Sequence, residues 1–243
     1  MKKVLVSVLT FAVMAGFAIC AYADKPDAIA FWGIPWLTQE SEVIKTIESI
    51  DPVSPMDSLF EDTTVDGWYR EFTSFYADPA VKNGGVSYHS YKGVNVAGYD
   101  VTWLKLDFLY RVVDGCVQRN TGTAEFYKAE YIIDELQDVE GAYNDLYDKL
   151  TQLYGMSNNK SRSDLISDML NPQGALWTAE DGSLVWLAMY YNNSKKTYDE
   201  IRIVYAAPNT DELLLKLDTQ IKGETVAVEK AEREENAGNF DGL

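Results

Sequence analysis

The chain has 243 residues, of which 38 are acidic and 21 basic, a formal charge of −17. That excess of carboxylates speaks against nucleic acid and against anionic membrane surfaces as partners, because both require a basic face. An apolar content of 47% and an aromatic content of 13% belong to a folded chain rather than a disordered one.

The chain starts Met1-Lys2-Lys3 and continues apolar from Val4 to Ile19. The triplet Ala21-Tyr22-Ala23 follows, and then Asp24-Lys25-Pro26. A positive start, an apolar stretch and a small-x-small triplet are the order of a cleavable secretory signal peptide. The apolar stretch falls short of the roughly 20 residues that a membrane span needs. Cys20 raises lipidation as a rival, but the bulky Ile19 before it fits that modification poorly. Residues 1–23 are therefore expected to be removed, leaving an exported protein, extracellular or in the cell envelope, with no stable membrane span. Lys2, Lys3 and Cys20 leave with the signal. The remaining 220 residues carry 38 acids against 19 bases, and Cys116 is their only cysteine, so the fold must hold without an intramolecular disulfide.

After the aromatic segment Phe31 to Trp36, Val43, Ile44, Ile47 and Ile50 recur at helical spacing. The pattern predicts a helix from Gln39 to Ile50, with Thr38 as N-cap and Glu40 and Glu42 in the first turn. Residues 51 to 85 are rich in breakers. Within them Trp68, Tyr69, Phe72, Phe75 and Tyr76 have helical spacing.

Val86 to Tyr91 alternates as a strand. Asp100 to Tyr110 places Leu104, Leu106 and Phe108 on one face, with Lys105 and Asp107 on the other. Ala124 to Asp134 places Tyr127, Ala129, Tyr131 and Ile133 opposite Lys128 and Glu130. Such patterning predicts an antiparallel meander with one face covered and one wet. A helix follows, with Asp138 as N-cap, an apolar stripe from Val139 to Tyr154 and Gly155 as its stop. Residues 156–173 read as a polar linker. Strands are predicted at 175–179 and 183–191 around Asp181-Gly182, a hairpin signal, and another ends near Tyr205. Asn209 to Glu212 reads as a capping box for a last helix bearing Leu213, Leu214, Leu217 and Ile221. Gly223 is its expected end, and the charged stretch 224–243 reads as a frayed tail.

The reading is thus α+β: two diverged units, each a helix plus an antiparallel meander, and a C-terminal helix. The first unit spans 24–155, and 156–223 holds the second meander and last helix. Two small domains and one continuous sheet are both compatible with this order.

The segment Trp32-Gly33-Ile34-Pro35-Trp36, followed by Thr38 to Val43, resembles the start of uncharacterised exported proteins of gut Firmicutes. Val96 to Val101 and Ala142 to Gly155 resemble later pieces of the same proteins. This chain has Leu37 where those proteins often have glycine, and they lend it no activity. In topology alone, the repeated helix-and-meander unit is similar to the β-lactamase-inhibitor-protein fold, whose members bind proteins.

No serine elbow, phosphate loop, paired-cysteine motif or zinc-type histidine pair is present. Asp62 to Gly67 begins like a calcium loop but has Thr73 where a bidentate Glu is required. Asp134, Glu135, Asp138 and Glu140 read as helix-capping acids rather than an acid–base pair. His89, the only histidine, sits in a strand, and Cys116 reads as half-buried beside a turn. Neither catalytic nor metal residues nor a cofactor are assigned. The surplus aromatics Trp68, Tyr69, Phe72 and Tyr76 read first as cover for the open side of a sheet; left exposed instead, they are the candidate contacts for a protein or glycan. The expectation is a non-enzymatic binding protein. A carbohydrate- or cell-wall-binding module and a carboxylate-based hydrolase are the alternatives.

Overall fold

A computed structural model of the protein describes residues 25–56, 86–119, 122–157, 173–192 and 195–236. In chain order the elements are α1 (Glu40–Glu48), β1 (Ser54–Pro55), β2 (Val86–Lys92), β3 (Val94–Val96), β4 (Tyr99–Val101), β5 (Trp103–Leu109), β6 (Arg111–Val113), β7 (Cys116–Gln118) and β8 (Glu125–Ile133). They continue with α2 (Val139–Tyr154), β9 (Gln173–Thr178), β10 (Leu184–Asn192), β11 (Thr197–Ala206) and α3 (Thr210–Asn236).

The fold is α+β with a C-terminal helix. One antiparallel sheet runs in the order β1-β2-β5-β8-β11-β10-β9, and β3-β4 and β6-β7 form small separate hairpins. The two predicted meanders, β2-β5-β8 and β9-β10-β11, thus share a single sheet. Their last strands meet at its centre, where Ile133 opposes Ile201 and Tyr131 opposes Ile203.

Alternation along the strands sends Leu104, Leu106, Ala129, Tyr131, Ile133, Ile201 and Ile203 to one face. There they pack with Val43 and Ile47 of α1 and Val139, Ala142, Leu146 and Leu150 of α2. Asp138 caps α2 by accepting a hydrogen bond from the Gly141 amide at 2.9 Å. On the opposite face Leu214, Leu217 and Ile221 of α3 pack on Leu109, Tyr127 and Ala207.

The structure departs from several expectations. Tyr127 lies with the α3 cluster rather than beside Ala129, because the pairing of β5 and β8 shifts register after Asp107 and leaves Tyr127 without an opposite partner. A β-bulge of this kind turns two successive side chains to one face. Lys105, Asp107, Lys128 and Glu130 were expected on a wet face but are largely buried.

Thr38 does not cap α1. Its hydroxyl donates to Pro35 O, while Leu37 N donates to Phe126 O and Phe126 N donates to Thr38 O, so the chain is still strand-like there, paired with β8. At the start of α3, Asn209 has φ 55 in place of the extended backbone of an N-cap, and it is Thr210 whose hydroxyl bonds back to Ala207 O.

The last helix does not end at Gly223 and 224–236 is not a tail. Past the glycine, Glu224 accepts from Val117 N and from Arg119, and the pair Arg233–Glu229 braces a later turn. Cys116 is exposed at the start of β7, not half-buried.

Candidate functional site

From Ala28 to Gln39 the chain carries no charged residue. It crosses the end of the sheet from the β9–β10 turn to β8. The Ile29 amide donates to Ser183 Oγ at 2.7 Å, and Leu37 N donates to Phe126 O at 2.8 Å. Phe31 and Ile34 turn inward. The Phe31 ring meets Phe126, Tyr131 and Tyr205 at centroid distances of 6.1, 5.5 and 5.6 Å. Trp36 stacks on Phe126 at 5.1 Å and donates its indole N–H to Ile29 O at 2.7 Å.

Two residues of this loop behave differently. Trp32 has φ 50 and Leu37 φ 63. A bulky side chain in the left-handed region is an outlier, costing on the order of 1–2 kcal/mol. Both side chains remain open to solvent, at 39% and 42%. They are nevertheless held in place. The Trp32 ring stacks on Phe31 at 5.1 Å and 14°. Its indole N–H is bonded to the Tyr131 hydroxyl, whose proton burial makes far harder to lose than that of an ordinary tyrosine. Ile34 N closes the turn onto Phe31 O at 2.9 Å. The arrangement presents two apolar side chains on a rigid base, at a cost in backbone strain that the packing beneath sustains.

The loop's far end is clamped by Glu40, which is fully buried in the first turn of α1. Its carboxylate accepts from Gly122 N at 2.6 Å and Ser87 Oγ at 3.0 Å, and is paired with His89 Nε2 at 2.7 Å. A carboxylate is an acceptor, so Nε2 carries the hydrogen of His89 and Nδ1 the lone pair when the ring is neutral. The His89 ring stands edge-on to Phe108 at 5.6 Å. This cluster joins α1, β2 and the loop before β8.

On the opposite sheet face a layer of charges crosses β5, β8 and β11. Asp107 is paired with Lys105 at 3.0 Å and Lys128 at 2.6 Å, and Arg202 with Glu130 at 2.9 Å and with Glu200. Burial alone would raise the Asp107 carboxyl, but the two ammonium groups outweigh it and hold it below the usual range. Burial raises Glu200 despite its Arg202 partner. Arg202 also lies over the Tyr190 ring at 5.0 Å. Asp107 thus holds two cations and Arg202 two anions, three buried charges of each sign on neighbouring strands.

Trp68, Tyr69, Phe72 and Tyr76, together with the calcium-like stretch 62–73, lie outside the described residues. Of the acids weighed as a catalytic pair, Asp138 caps α2 and Asp134 accepts from the Thr102 hydroxyl. Among the described residues, no group of three or more His, Cys, Asp or Glu is placed to hold a metal ion, and no helix is long and apolar enough to cross a membrane. Neither Trp32 nor Leu37 is a residue type that marks left-handed backbone, and the one hint was the glycine that often stands at the place of Leu37 in the exported proteins this segment resembles. Glu40 and His89 are 49 positions apart and meet only through the fold. No known protein family, curated protein or solved structure matches the chain.

Proposed function

We propose that the chain is an exported, non-enzymatic binding protein that presents the Trp32–Leu37 loop to another protein outside the cytoplasm. One observation carries this reading. Two large apolar side chains are held exposed on left-handed backbone within six residues of each other, over a packed aromatic base. Strain retained in this way concentrates at functional positions. A rigid, exposed tryptophan is also the residue type that most often anchors a protein interface. Export rests on the order of residues 1–23, a basic start, an apolar stretch and Ala21-Tyr22-Ala23.

The test is photo-crosslinking on intact cells. Benzoylphenylalanine replaces Leu37 in one variant and Leu215, an exposed residue of α3, in another. A discrete heavier adduct from position 37 and none from position 215 is the outcome expected. Identical patterns from both positions would remove the loop as the binding element. The mass of the recovered chain reports processing in the same experiment, and a start at Asp24 is expected.

A further inference from the structure

The Trp32–Leu37 loop is uncharged, but its two ends are not. At the first end Glu180 N donates to Pro26 O at 2.9 Å and Asp181 N to Asp27 O at 3.0 Å, which brings Asp27, Glu180 and Asp181 to the start of the uncharged stretch. Lys25 is the one cation on that length of chain. At the second end Gln39 bridges to Glu125, and α1 opens with buried Glu40 and exposed Glu42. Arg111 sits at 3.2 Å from Glu125 and offsets one of these charges. An apolar centre between acidic ends has the layout of an interface, with anchors in the middle and charge at the rim.

We propose that this surface docks a cationic partner: a segment rich in lysine or arginine with an apolar side chain at its centre. The inference rests on the reading of the loop as the binding element and adds the chemistry of what it binds. The rim acids attract and orient the approaching cations, which sets the association rate and makes it sensitive to salt. Trp32 and Leu37 then bury apolar area on docking, which sets the residence time. A partner with an acidic face is rejected by the same charges.

The experiment uses the processed, exported chain and two short fluorescein-labelled peptides, one alternating lysine and leucine, the other glutamate and leucine. Anisotropy reads their binding. Because the whole chain is acidic, charge must be moved locally. The double variant Asp27→Lys and Glu180→Lys alters the rim at exposed positions, and Glu232→Lys with Glu234→Lys makes the same change in charge on the exposed end of α3. Urea unfolding confirms that each variant retains its fold.

The expected result is binding of the lysine peptide only. The rim variant weakens it about tenfold, the α3 variant leaves it unchanged, and Trp32→Ala weakens it by a similar factor. Equal weakening by the two double variants would overturn the proposal, since the overall charge would then account for binding. If both peptides bind alike and Trp32→Ala abolishes both, the loop is the binding element and the cationic partner is wrong. If the rim variant abolishes binding and Trp32→Ala has no effect, the loop reading itself fails.

Discussion

Glu40 shows how one side chain holds three parts of the chain together. Its buried carboxylate accepts from the Gly122 amide and the Ser87 hydroxyl and pairs with His89, so a leucine there would leave buried donors unsatisfied. Glu40→Leu should lower stability by about 3 kcal/mol, read as a drop in the urea midpoint. Leu37 predicts the opposite sign. With φ 63 and a side chain 42% exposed, it gains little from burial and carries backbone strain. Leu37→Gly should therefore match or exceed the parent's stability, by up to about 1 kcal/mol, while removing one side of the proposed binding surface. A clear loss of stability in the urea midpoint would show that the strain is absent.

Asp107 carries the pH dependence. Its carboxyl is held low by Lys105 and Lys128 against the effect of burial. A carboxylate depressed in the folded state stabilises at pH above its unfolded value, about 4, and loses that contribution as the pH falls through the folded value. The urea midpoint should therefore fall steeply in acid. Asp107→Asn, costing about 3 kcal/mol at neutral pH, should flatten that fall. Glu200 is raised by burial, so its contribution is complete at low pH and is lost as the pH rises through its folded value. Glu200→Gln should accordingly cost less at neutral pH than Asp107→Asn does.

At the scale of elements, α3 and the β2–β3 turn make the sharpest statements. Gly93 has φ 82, and a Cβ there would lie 2.4 Å from Pro52 O, a backbone atom. Gly93→Ala should cost about 2 kcal/mol or more in urea unfolding.

The elements that the sequence showed best were those with long, regular patterns. The stripe from Val139 to Tyr154 and the alternation in β8 and β11 correspond to a helix and two strands on covered faces. Patterns of this kind fail where a tertiary contact decides. The end of α3 depended on Glu224 meeting Val117 and Arg119, over 100 residues earlier. The face of Tyr127 depended on a register shift against β5. Lys105 and Asp107 were read as wet because charge predicts exposure, whereas here each charge is buried beside an opposite one. The clamp of Glu40 on His89 had no local signal at all.

Across the whole molecule the sheet is organised outward from one pair of strands. β8 and β11 each have a strand on both sides, whereas β9 borders the sheet and β1 contributes only Ser54 and Pro55 at the other margin. Amide hydrogen exchange should therefore be slowest in β8 and β11 and faster by orders of magnitude in β9. The same arrangement orders events during biosynthesis. As the chain emerges from the ribosome, residues up to Ile133 complete the first meander, but the neighbour that β8 needs along its other margin begins only at Thr197. Until then Ala129, Tyr131 and Ile133 border an incomplete core. Because the central pairing spans about 70 residues, its closure entropy must be met before the contacts reward it. Under the export proposed above, the chain has to reach a narrow channel unfolded, and this topology delays its own completion until the last strand has been made.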